Sequence, residues 1–183
     1  MCNELKSTYT IWGRKDCPNV QGTKQIYHGY AAGTPYHTRG GGSNYICLTS
    51  KPRFLSYQKG VNGWVQIGPV EYEPTNNYDG TLQHNAPCAV CGTIRSKSLM
   101  IPGTYACPSG WKREYYGYLR ATRYNHAGRA EFVCVHHAPQ SLPGSTKHTH
   151  NAAEWWNVEP YCGVLPCPPY NKAKELTCVV CSG

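Results

Sequence analysis

Apolar positions along this chain come in short runs, Gln25-Ile26-Tyr27, Tyr45-Ile46-Cys47-Leu48, Trp64-Val65-Gln66-Ile67 and Phe132-Val133-Cys134-Val135, each set between clusters of Gly, Pro and Asn. Runs of that length bounded by turn residues predict strands. Amphipathic helix periodicity is nearly absent. With 19 Gly and 14 Pro spread along the chain, the expectation is all-β: many short antiparallel strands joined by long ordered loops. Gly40-Gly41-Gly42, between Arg39 and Ser43-Asn44-Tyr45, predicts a backbone bend ahead of a strand. Nothing approaches the roughly 18 consecutive apolar residues of a membrane span.

The pattern also repeats. Cys17, Cys88 and Cys91 recur as Cys107, Cys178 and Cys181, each 90 positions further on, while Cys47 recurs as Cys134 after 87. Cys17-Pro18 is answered by Cys107-Pro108, and Cys88-Ala89-Val90-Cys91 by Cys178-Val179-Val180-Cys181. The chain therefore reads as a pseudo-twofold tandem repeat of two disulfide-rich β modules, residues 9–98 and 99–183, sharing one domain behind a flexible stretch at 1–8.

Eleven cysteines against two Met and two Phe in 183 residues indicate a chain held by cross-links as much as by aliphatic packing. That points to an oxidising, secreted, extracellular setting. The opening Met1-Cys2-Asn3-Glu4-Leu5-Lys6 has no apolar run, so the expectation is a mature form without a signal peptide. The two Cys-x-x-Cys pairs admit three readings by spacing alone: a four-thiolate zinc site, redox pairs, or halves of disulfides. Residues i and i+3 of a strand face opposite sides, so as disulfides each pair would bond two different partners. A nested set is proposed: Cys17–Cys91 and Cys47–Cys88, then Cys107–Cys181 and Cys134–Cys178, with Cys162–Cys167 closing a small loop and Cys2 left free or intermolecular.

Eighteen Lys+Arg against ten Asp+Glu give a net charge of +8, which favours acidic partners. The positive charges are dispersed, however, and the densest stretch, Lys112 to Arg129, is interleaved with Tyr115, Tyr116, Tyr118 and Tyr124. Nucleic acid is not the expected partner.

The elements Cys107-Pro108-Ser109-Gly110-Trp111, Tyr116-Gly117-Tyr118-Leu119, Cys134, Cys162, Cys167 and Cys178-Val179-Val180-Cys181 resemble one repeat of the C-terminal non-collagenous domain of type IV collagen. From Tyr9 to Cys181 the chain is similar to the short-chain, spongin-type collagen-like proteins of sponges and other invertebrates. The phrases that carry this are Ile11-Trp12-Gly13-Arg14, Ala31-Ala32-Gly33, Gly40 to Tyr45, His84-Asn85-Ala86-Pro87-Cys88 and Leu165-Pro166-Cys167-Pro168-Pro169-Tyr170. The resemblance implies six cysteines per repeat paired first with sixth, second with fifth and third with fourth, a β-rich protomer, and association as a homotrimer. Some free-standing proteins of this type resemble lectins for N-acetylhexosamines such as N-acetylglucosamine.

A sugar site needs aromatic faces and a few planar polar groups at its rim. Fifteen Tyr and five Trp supply the first. Trp12, Trp64 and Trp111 are assigned to packing. The candidate ligand contacts lie in four stretches: Tyr36, His37, Arg39 and Asn44 with their second-repeat counterparts Arg123, Tyr124, Asn125 and His126; His148 with Trp155 and Trp156; and Asp79 with His84. No cofactor or metal is expected. For catalysis, Glu71 and Glu73 would share one face of a strand, most simply a solvated one, and His136 and His137 would point oppositely and share no ligand. A glycan-binding, non-enzymatic, multivalent protein is the leading expectation. A matrix trimerisation module is the alternative and a secreted nuclease or glycosidase the third.

Overall fold

The strands form where β-branched, aromatic and cysteine residues cluster between turns, and the computed structural model describes residues 4–56, 60, 65–73, 83–145 and 152–183. Ten strands follow in chain order: β1 (Ser7–Trp12), β2 (Thr23–Gly33), β3 (Ile46–Thr49), β4 (Gly68–Tyr72), β5 (Pro87–Thr93), β6 (Ser98–Pro102), β7 (Lys112–Ala121), β8 (Val133–His136), β9 (Ala153–Asn157) and β10 (Thr177–Ser182). The protein is all-β, with no helix among the described residues. No helix is long and apolar enough to cross a membrane among them.

β5 lies between β1 and β2, both antiparallel to it, and β3 adds to β2. In the second half β10 lies between β6 and β7, again antiparallel, and β8 adds to β7. The halves are joined by two parallel contacts, β1 with β8 and β4 with β9, and β9 also pairs with β7. Following the pairing from β7 through β8, β1, β5, β2, β4 and β9 returns to β7, so the sheet closes on itself as a barrel.

Alternation sends successive residues of the central strands into two cores. Trp12, Cys88, Val133 and Val135 pack with Tyr45, Tyr72 and Trp155 in one. Tyr9, Ile11, Ala89, Cys91 and Cys134 pack with Tyr115, Cys178 and Val180 in the other. β5 is therefore buried on both faces, which is why its sequence lacks a polar alternate. The disulfides follow: Cys91 bonds Cys17 on one side and Cys88 bonds Cys47 on the other, with Cys107–Cys181, Cys134–Cys178 and Cys162–Cys167 completing the nested pairing. Cross-linking of this density is typical of extracellular proteins.

Two glycines are required by close strand approach. A Cβ at Gly29 would sit 1.6 Å from the Leu48 carbonyl oxygen, and one at Gly117 would sit 1.7 Å from that of Val135. Two boundaries differ from the sequence reading. Ser7 and Thr8, expected in the stretch at 1–8, already belong to β1 and pair with Thr93 and Gly92. Val65 to Ile67 is irregular and exposed, and β4 begins only at Gly68, where β2 and β9 offer partners. Trp64 and Cys2 lie outside the described residues.

Candidate functional site

The loop after β2, the loop after β7 and the start of β9 are stitched together by backbone bonds. The Tyr36 amide donates to the Ala152 carbonyl at 3.0 Å, and the Gly128 amide donates to the Tyr36 carbonyl at 3.0 Å. These bonds bring together side chains that the sequence nominates from separate stretches. The rings of Tyr36 and His126 lie 4.7 Å apart, and His126 meets Trp156 at 6.3 Å. The Arg123 guanidinium sits 4.6 Å over the Trp156 ring and 5.9 Å from that of Tyr124. Arg123 is thus within cation–π distance of two aromatic rings.

Glu154 anchors this layer from beneath. Its Oε2 accepts the Trp156 indole N–H at 2.9 Å and lies 3.6 Å from His126 Nδ1. The His126 imidazole titrates below its ordinary value because burial outweighs the pull of Glu154, so at neutral pH the contact is polar rather than ionic. Glu73, just beyond β4, is pushed up to about 7 by burial, then by the charges of Glu154 and Glu71, against the opposing effect of Arg123. Glu71 is buried, so the expectation of a solvated face bearing both acids is corrected: β9 covers β4, and the chain leaves the strand before Glu73.

Beside the layer opens a cleft of about 640 Å³. Its walls include Arg123, Tyr124, Phe132, Trp156, Asn157 and Tyr161, with Glu159 and Glu175 at its margin. Tyr124, Phe132 and Tyr161 are 91%, 59% and 92% exposed, so three rings stand open to solvent around it. Asn157 is its opposite: both amide atoms are buried and have no hydrogen-bond partner among the described residues. Glu175 also lines a second cleft of about 450 Å³, whose wall is Pro168, Pro169, Tyr170 and Lys174. Glu175 is thus common to the walls of both clefts.

Of the nominated residues, Arg123, Tyr124 and Trp156 line the first cleft, and Tyr36 and His126 back it. His37, Arg39, Asn44 and Asn125 are exposed and take no part in its walls. His84 is pinned elsewhere, with Nδ1 3.0 Å from the Ser145 hydroxyl. Trp155 is corrected: it is fully buried, edge-on to Trp12 at 5.8 Å and to Tyr45 at 5.6 Å, because β9 is a strand whose alternate residues face core and cleft. Asp79 and His148 lie outside the described residues. Sequence reasoning missed Phe132, Asn157, Tyr161 and Glu175. Tyr161 adjoins Cys162, in the one loop the first half lacks, and that asymmetry was the available signal.

His136 and His137 also differ from expectation. Their rings stack at 4.5 Å, because β8 ends at His136 and the chain turns back immediately after it. Among the described residues, no three His, Cys, Asp or Glu side chains are grouped to hold a metal ion. No protein-family model matches this chain, and no curated protein matches it.

Proposed function

We propose that this is a secreted carbohydrate-binding protein whose site is the cleft between Arg123 and Tyr161. The observation that carries the reading is the composition of that cleft: open Tyr124, Phe132 and Tyr161 rings around planar polar groups on Arg123, Glu159 and Glu175. A sugar ring offers an apolar face to aromatics and hydroxyls to planar acceptors and donors, which is what these walls provide. An N-acetylated hexosamine suits it further. Its methyl group fits against an aromatic wall, and its amide matches the unpartnered amide of Asn157, reached after rotation of that side chain.

Multivalency through a homotrimer completes the proposal, since a weak sugar site gains from repetition about a symmetry axis. β3 and β6 are each paired along one side only among the described residues, leaving strand edges for such association. The test is glycan-array screening followed by titration calorimetry with N-acetylglucosamine and its oligomers, on the native protein and on Tyr124→Ala. Binding weakened roughly ten-fold in Tyr124→Ala supports the site. No binding to any glycan, or unchanged binding in the variant, overturns it.

A further inference from the structure

A second feature lies at the far end of β8. The Arg113 guanidinium sits 4.8 Å over the Tyr116 ring, Tyr116 stacks on His137 at 4.3 Å and 9°, and His137 stacks on His136. Arg14 joins from the end of β1, donating to the Ala138 carbonyl at 3.1 Å, while Arg113 donates to the Tyr105 carbonyl at 3.4 Å. Both guanidiniums are thus tethered to neutral backbone oxygens, and neither meets a carboxylate among the described residues. Between them stands exposed His137, whose imidazole burial and the charges of Arg14 and Arg113 hold below its ordinary value. His136 Nδ1 lies 3.0 Å from the Ala138 amide and 3.2 Å from the Ala138 carbonyl oxygen, which fixes the ring against the turn.

Two oriented positive charges with no counter-charge leave a field that an external anion can satisfy. The ligand's shape is constrained as well. The Tyr116 ring is engaged by both Arg113 and His137, which leaves the exposed Tyr105 ring, 6.4 Å from it, as the aromatic surface beside the two guanidiniums. A compact tetrahedral oxyanion fits, because a guanidinium matches it with two parallel N–H groups. We propose that Arg14, Arg113 and His137 form a site for a sulfate group of a sulfated polysaccharide, separate from the cleft at Trp156.

The test compares sulfated dextran oligosaccharide with unsulfated dextran of equal length by calorimetry at physiological salt. Three proteins are used: the native chain, Arg14→Gln with Arg113→Gln, and Lys24→Ala with Lys51→Ala, which removes the same charge from other exposed positions. The Gln side chains keep the stems and one amide donor, and thermal unfolding verifies that each variant is folded. Loss of roughly ten-fold in affinity in the Gln pair supports the site, given that charge-assisted contacts are the strong ones. The Lys pair should lose only about two-fold, as expected of dispersed surface charge. Equal losses in both pairs, or a thymidine oligonucleotide of equal charge binding as tightly as the sulfated sugar, overturns the proposal.

Discussion

The Tyr9 hydroxyl donates to Glu114 Oε2 at 2.9 Å across 105 residues of sequence, joining β1 to β7. The same oxygen accepts from Thr23 Oγ1 at 2.9 Å, Oε1 accepts from Ser182, and Arg95 approaches at 3.5 Å. A carboxylate with no exposed side-chain surface is thereby satisfied by three hydroxyls and one cation drawn from both halves. Burial, and then the charge of Glu114, raise the Tyr9 phenol above its ordinary value, so it remains a donor. Glu114→Gln, which turns an amide toward these donors, should cost about 2–4 kcal/mol in urea unfolding. Tyr9→Phe should cost about 1–2 kcal/mol, since one buried acceptor loses one donor. A native-like midpoint for Glu114→Gln would show that the network contributes nothing.

The bridges should not contribute equally. Cys17 and Cys91 are separated by 74 residues, whereas Cys162 and Cys167 are separated by 5. On chain entropy alone, replacing the first pair by Ala should destabilise by about 4 kcal/mol and the second by about 2 kcal/mol. Chemical unfolding of the two double variants measures the ordering, and the reverse order refutes the entropic account.

Trp155 and Trp156 are adjacent, yet substitution should affect different properties. Trp155→Ala empties a fully buried site against Trp12, Tyr45 and Tyr72 and should cost about 3–5 kcal/mol. Trp156→Ala should leave the fold near native while weakening sugar binding, because its ring supports Arg123 at the cleft wall. Paired thermal melts and calorimetry separate the two outcomes.

Acid and base should act through different groups. His136 is pushed down to about 4 by burial, then by His137 and Arg14, from an ordinary value of 6.5. The unfolded chain therefore binds more protons than the folded one between those values, and stability falls as pH drops through that window. Glu73, raised from 4.5 to about 7, has the opposite sign, costing stability as pH rises through its window. Relative to the native protein, the melting temperature of His136→Gln should rise as pH falls from 6.5 to 4. That of Glu73→Gln should rise as pH increases from 4.5 to 7. Flat difference curves would sink both assignments.

The all-β class was legible because turn residues recur so densely that no helical period survives, and the Gln25, Tyr45 and Phe132 runs all fall at or within strands. Val65 to Ile67 is as apolar as those runs and is not a strand. Strand formation there needed a neighbouring edge, and no local pattern reports one. The cleft was half legible. Arg123, Tyr124 and Trp156 stood out as aromatics and planar cations in loops, but Phe132 reads as a core residue in an apolar run. Its exposure follows from lying just before β8, where the chain has not yet entered the barrel.

By itself, the sequence determined the strand-rich character, the doubled cysteine spacing and the need for each Cys-x-x-Cys to bond two partners. These depend on local sterics and on the two-residue period of a strand, which act within a few positions. Tertiary structure alone decided that β5 would be a wall between two cores, that Trp155 would face inward and Trp156 outward, and that His136 and His137 would stack. Those outcomes depend on which strands meet across the barrel and where each one ends. They are set by contacts between residues tens of positions apart, and no local window contains them.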